Sequence, residues 1–313
     1  MAGGLTLAQL KQLATPQRLQ TLRRGAVPAL AVVSFLLFLL LTFPYEMIGR
    51  RMQAEAQRAG ADLNIGSIGG HGLFGVRARD VRLRPAPSGP EPAPEFRFDR
   101  VDVSPDLFAM LLRRTSFGFR LEGYGGTARG HAALSSDPRL PGLQALRLTS
   151  TDLDLKALPL KELTGVDAMG RASLQVDVSS LQPAETAGGS ISLNGRQIAV
   201  TGGNASGFVL PRAALGDLDV AVTIDRGVAK LDRAQVRGGD LDVEADGTVR
   251  LRALLSLSQA DLHLRLRPSD RWLNENAFVK SALGLVQNAR QSDGSYVFSF
   301  SGPLSRLNSR PGR

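Results

Sequence analysis

The residues in this chain that could do chemistry are few and far apart. Gly70-His71-Gly72-Leu73-Phe74-Gly75 matches G-x-G-x-x-G. A dinucleotide site of that pattern needs a strand before it and a helix N-terminus after it, because the helix end holds the pyrophosphate. An alternating strand pattern follows instead, so the segment reads as a turn. Asp240, Asp242, Glu244 and Asp246 place four acids in seven residues, a set of oxygen donors of the kind calcium takes. They alternate with Leu241, Val243 and Ala245, which makes them the solvated face of a strand, with Thr248, Arg250 and Arg252 following as counter-charge on that side. His71, His131 and His263 are widely separated, and none belongs to an HExxH-type pair. Each reads as a polar strand or loop residue. There is no P-loop, no G-x-S-x-G elbow and no kinase motif set. Asn204-Ala205-Ser206 is a formal glycosylation sequon, without meaning in a bacterial host, which the Arg-rich composition and the architecture favour. The sequence therefore assigns no catalytic residue, no cofactor-binding residue and no metal ligand, and the chain reads as a non-enzyme.

The elements around these residues begin with a charge-free run, Ala26 to Phe43, AVPALAVVSFLLFLLLTF. About 18 to 20 apolar residues at 1.5 Å rise cross a hydrocarbon core of roughly 30 Å. The preceding segment has no acid and carries Lys11, Arg18, Arg23 and Arg24, which keeps that end in the cytoplasm. A cleaved signal peptide would have a shorter apolar region and a small-residue cleavage site; the TFPYEM that follows the run offers no such site. A buried soluble helix is the third reading. The favoured expectation is an uncleaved anchor with the C-terminal region in the periplasm.

Composition narrows the classes further. About 270 of the 313 residues follow the anchor, enough for one large or two ordinary domains. Cysteine is absent, which excludes disulfides, Cys-ligated zinc, iron–sulfur clusters and thiol catalysis together. Four charges of the net +9 precede the apolar run, leaving about +5 for the rest. The arginines are scattered along alternating strands and aromatics are few, whereas nucleic-acid binding would want clustered cations interleaved with aromatics. No nucleic-acid partner is expected.

Residues 1–25 read as a cytoplasmic tail with a marginal amphipathic helix, 26–45 as the transmembrane helix and 46–60 as a helical stalk. In the stalk, Glu46 to Ala59 carries Glu46/Arg50 and Arg51/Glu55 pairs at i,i+4, and Gly60 ends the helix. From Leu63 the period becomes two. Residues 61–304 form a β-rich domain with turn signals every 8 to 12 residues, as in antiparallel all-β folds. PAPSGPEPAPE (85–95) is a Pro-rich surface loop. Hairpin turns are expected across Gly125-Gly126, at Asp225-Arg226-Gly227 and at Ala245-Asp246-Gly247. Pro105 to Arg114 predicts a short helix with Leu107, Met110 and Leu111 on one side. Asp270 to Ala289 predicts a longer one with Trp272, Val279, Leu283 and Val286 on one stripe. GSYVFSFSG (294–302) is a closing strand, and 305–313 a flexible tail.

Several of these segments in order carry a resemblance. The anchor ends in TFPYEMIGRRM. LNIGSIGGHGLFGVRARDVRL comes next, then FRFDRVDVSPDLFAMLLRRTSFGFRLEGYGGTARG, and the chain closes on GSYVFSFSGPLSRL. This order resembles the type II secretion system protein N (GspN) family of Gram-negative bacteria over essentially the whole outer region. The strand–helix–strand opening and recurring G-x-x-x-L-x-L strands are similar to AsmA-like proteins, inner-membrane-anchored envelope proteins with long curved sheets implicated in lipid traffic. The resemblance implies a single-pass inner-membrane protein serving a type II secretion machine as a non-enzymatic accessory or scaffold. Its partners would be inner-membrane and periplasmic components of that apparatus, with lipid binding or transfer as the alternative. The family has no catalytic residues to carry over.

The expected architecture is mainly β: an N-terminal transmembrane helix, then an elongated, curved antiparallel sheet, a half-pipe or partial barrel of AsmA-like kind, with a few short helices plugging its ends or open side. Exposed edge strands of such a sheet are docking sites for strand addition.

Overall fold

The structure is a computed structural model. It describes residues 45–58, 60–72, 74–86, 93–112, 114–135, 142–205 and 208–312. The expected cytoplasmic tail, the apolar run Ala26 to Phe43 and most of the Pro-rich loop lie outside the described residues. No helix among the described residues is long and apolar enough to cross a membrane. The chain divides into two compact units, Met1–Ile48 and Gly49–Arg313. Of the first, only the opening turn of a helix is described; the sheet belongs to the second.

Helix α1 (Tyr45–Arg58) ends where Gly60, at φ +78°, donates its N–H to the Gln57 carbonyl at 3.0 Å. Glu55 pairs with Arg58 rather than with Arg51 as the i,i+4 spacing suggests. Fourteen strands then run in an unbroken up-and-down order, each antiparallel to the next. They are β1 (Ala61–His71), β2 (Gly75–Pro85), β3 (Phe96–Pro105), β4 (Ser116–Gly123), β5 (Gly126–Leu134), β6 (Leu143–Asp154), β7 (Val166–Ser179), β8 (Gly188–Ala205), β10 (Ala213–Asp225), β11 (Val228–Gly238), β12 (Leu241–Arg250), β13 (Gln259–Pro268), β14 (Tyr296–Pro303) and β15 (Asn308–Pro311). The two-residue β9 (Phe208–Val209) pairs only with the end of β8. β1 and β15 are the two edges, so the sheet is open.

The register explains why these residues fold this way. One cross-strand row reads Gly70, Val76, Val103, Phe119, Gly130, Leu148, Val176, Ile191, Val222, Leu231, Gly247, Leu262, Phe300. One residue along, a row on the other face reads Ser104, Gly118, His131, Arg147, Asp177, Ser190, Thr223, Lys230, Thr248, Asp261, Ser301. Period-two alternation has sorted the whole sheet into an apolar and a polar face. A one-residue slip anywhere would exchange them.

Three places break the period and keep the sorting. Ala78 and Val81, Ser150 and Leu153, and Gly195 and Ile198 are three apart, yet each pair serves the apolar face. Between them Asp80, Asp152 and Gln197 take left-handed backbone at φ 50°, 54° and 52°, with register shifts beside the last two. At Asp152 and Gln197 a bulge absorbs the extra residue and re-phases the strand; at Asp80 the register with both neighbours is kept, Ile65 and Ile68 facing Val81 and Ala78. The two-residue turns Tyr124-Gly125 and Arg226-Gly227 have positive φ at both positions, the hairpin geometry whose twist matches the strands. The third expected turn is not one. Ala245-Asp246-Gly247 lies inside β12, paired to β13 through Leu264, His263 and Leu262. Gly247 at φ +133° sits opposite the irregularity in β11, where a Cβ would run into the Asp261 carbonyl oxygen.

The helices depart further from the sequence pattern. The helix between β3 and β4, α2 (Leu107–Leu111), is capped by Asp106, whose carboxylate accepts from the N–H groups of Phe108 and Ala109. A short α3 (Leu160–Thr164) comes after β6. The single helix expected over 270–289 is two helices, α4 (Asp270–Glu275) and α5 (Ala277–Leu285), and a 3-10 turn, Gln287–Ala289. The break is at Asn276, whose Nδ2 donates to the Trp272 carbonyl at 2.9 Å and competes with the helical ladder. The expected flexible tail is in part the edge strand β15, paired to Phe298–Ser301.

Candidate functional site

The feature that stands out is the apolar face and how little covers it. Thirteen apolar side chains are buried among the described residues, and seven of them are alanine. The large ones that face each other across strands, such as Leu148, Leu193, Val220, Leu262, Leu264, Phe298 and Phe300, remain half-buried. The helices cover the face only in places: α1 sets its buried Gly49 against Ile68 of β1, α3 packs on β7, α4 on α5, and the 287–289 turn on β14. Of the helices expected to plug the sheet, α2 and α5 leave large apolar side chains exposed, while α4 buries Trp272. α2 has little more than one turn, and its Phe108 and Leu111 are 74% and 78% exposed; in α5, Leu285 is 87% exposed. Two of the thirteen buried side chains anchor the helical region instead. Trp272 donates Nε1–H to the Arg212 carbonyl at 2.8 Å, and Ala289 is enclosed.

One corner is closed. The segment from Ser180 to Ala187 folds over the ends of β7, β8 and β10, and Val178, Ala187 and Ile224 form a buried cluster with Leu146, Val176, Leu181, Ile191, Val222, Ala229 and Leu251 packed around it. Away from that corner single positions on this face are buried, among them Ala78, Val81, Ile198, Ala260 and Tyr296, while the large side chains between them are half-buried. Ser150 lies in a row with Ala128 and Leu174 on this face. Its Oγ is buried and has no hydrogen-bond partner, which costs about 1–3 kcal/mol. A half-covered apolar surface of this extent is what a lipid or protein partner covers in other settings.

The polar face is laced with cross-strand ion pairs: Arg77–Asp102 at 2.6 Å, Arg147–Asp177 at 2.9 Å, Arg233–Asp219 at 2.7 Å and Arg237–Glu244 at 2.6 Å. Asp102 is the buried member of this set, gripped by Arg77 through both carboxylate oxygens. That hydrogen bonding holds the Asp102 carboxyl below its ordinary range against the opposing effect of burial. The acidic run of β12 is solvated as its spacing predicts, but its partners differ from those expected. Glu244 pairs with Arg237 and Asp246 lies 3.4 Å from His263, while Asp240 accepts from the Ala214 N–H. Among the described residues no three His, Asp or Glu side chains converge as metal ligands.

The glycine motif at 70–75 is the β1–β2 hairpin, with Gly72 at φ +60°. His71 there touches Arg77 at 2.7 Å and lies 3.8 Å from Asp102. The sequence treats His71 and His131 as isolated residues. The structure brings both to one cleft of about 450 Å³ on the polar face. The only sequence signal for this is register: the Tyr124-Gly125 turn sets His131 opposite Gly118, and thus beside Ser104. No protein-family model, curated protein or solved structure matches this chain.

Proposed function

We propose that this protein is a non-enzymatic, inner-membrane-anchored component of a type II protein secretion system, of the GspN kind, acting as an accessory or scaffold in the periplasm. The observation that carries the reading is the open fourteen-strand meander with one apolar face left half covered, set behind a charge-free run with a basic flank. A surface of that kind needs an occupant to complete its burial. In this reading the sheet curves toward its apolar side as a half-pipe, and its bulges at Asp152 and Gln197 add local bend. The β1 edge offers eleven residues for strand addition. β14 does not, because β15 pairs with Phe298–Ser301, so proline at Val297–Phe300 would break the sheet itself rather than test an edge.

The experiment is crosslinking and affinity capture of the full-length chain from native envelopes, paired with secretion assays in a deletion strain. The expected result is co-purification of secretion-apparatus components and a loss of exported substrate. Normal secretion with no apparatus component captured sinks the reading. A reporter active only outside the cytosol, fused to the C-terminus, tests the anchor; a dark reporter removes it.

The half-buried Leu and Phe positions favour one second reading, an AsmA-like module that binds or carries lipid on the apolar face. Native mass spectrometry of the purified chain should then show bound phospholipid, lost on Phe298→Ser with Phe300→Ser. A lipid-free protein would exclude it.

A further inference from the structure

The polar-face cleft is lined by Asp102 and Ser104 of β3, Arg120 of β4, Arg129 and His131 of β5, and Arg147 and Thr149 of β6. Arg120 and Arg129 are direct cross-strand partners. Like charges placed opposite each other on a sheet repel. Three arginines near this cleft are met by an acid: Arg77 by Asp102, Arg100 by Glu122 and Arg147 by Asp177. Arg120 does face Asp102 in register, but both oxygens of that carboxylate are held by Arg77. Among the described residues, Arg120 and Arg129 therefore have no carboxylate partner. Gly118, between Ser104 and His131 in register, leaves the floor of the cleft open.

We infer that this cleft binds a phosphoryl group, carried as an ester on a small polar body. Two adjacent guanidinium forks match phosphate oxygens bidentately, which lysine or a single charge does not. The Ser104 and Thr149 hydroxyls and a ring nitrogen of His131 supply further donors at its rim. About 450 Å³ falls within the range of small-ligand clefts and exceeds what a bare phosphate fills. The inference does not depend on the secretion or lipid readings, because it concerns the opposite face of the sheet.

The test is calorimetric titration of the full-length chain in zwitterionic nanodiscs with two probes. Glycerol 3-phosphate represents a soluble ester, and dihexanoyl phosphatidylglycerol below its micelle concentration represents a lipid headgroup. Arg171 and Arg196 provide the control, being another cross-strand arginine pair that is exposed and does not line this cleft. Saturable binding of either probe, weakened about tenfold or more in R120Q/R129Q and unchanged in R171Q/R196Q, supports the site. Response to the monoester identifies a soluble ligand, and response to the diester alone a lipid headgroup. No saturable binding of either probe, or equal weakening in R171Q/R196Q, overturns it. Single variants R120Q and R129Q, each with an unaltered far-UV spectrum, separate loss of binding from loss of fold.

Discussion

The corner around Val178, Ala187 and Ile224 and the middle of the reach from β12 to β14 are built from the same alternating strands, but the corner is the more fully closed. In the corner, the segment between β7 and β8 turns back over the sheet, so Ile224 is 7% exposed and Ala187 fully enclosed. In the reach, Leu262, Leu264, Phe298 and Phe300 pair across strands in the same way and stay half-buried. Strand alternation thus makes a face but not a core. A core needs a second layer, and here one loop supplies it locally. Where no loop does so, apolar area remains for an occupant.

The most severe challenge to this contrast is at the corner's turn. Gly227 has φ +72°, and a Cβ there would lie 2.6 Å from the Glu185 Cα. Gly227→Ala should cost about 3–4 kcal/mol through left-handed strain and overpacking, read as a lowered urea midpoint of the full chain by circular dichroism. A neutral result would mean the loop does not press on the turn. Ile224→Ala should come next at about 3 kcal/mol.

Smaller effects probe the other side. Asp102 has a depressed carboxyl pKa because Arg77 hydrogen-bonds it. The stability from that pair is fully present above the unfolded-state value of about 4 and is lost as pH falls through the lower folded-state value. Asp102→Asn should therefore flatten the acid limb of the stability profile. An unchanged acid limb would show that other carboxylates dominate it. Weaker still, Leu264→Ala on the reach should cost about 1–2 kcal/mol, less than Ile224→Ala because Leu264 is only partly buried, while lowering any lipid recovered with the protein. A cost equal to that of Ile224→Ala would show the reach to be as closed as the corner.

How much the sequence reveals depends on how local each signal is. The two faces are visible in it because alternation is a property of neighbouring residues. Leu218 to Ile224 already shows which side is apolar, and Asp225-Arg226-Gly227 shows where the chain turns. The acids of β12 read as solvated for the same reason. The turn expected at Ala245-Asp246-Gly247 misleads because its dipeptide suits a turn, whereas pairing on both sides holds it in a strand. The helix at 270–289 misleads because its apolar stripe is continuous, while one side chain, Asn276, bonds backward and divides it.

Residue order alone dictates a site-poor, cysteine-free chain whose strands must sort oil from water, because composition and period two leave no other arrangement for so many alternating residues. The remaining features arise only when the whole sheet is assembled. Assembly left the sheet open, closed one corner and left many large side chains of the apolar face half-buried. It also set His71, His131, Arg120 and Arg129 around one cleft. These outcomes depend on register summed over many strands and on where a loop folds back, and no short stretch of residues encodes either.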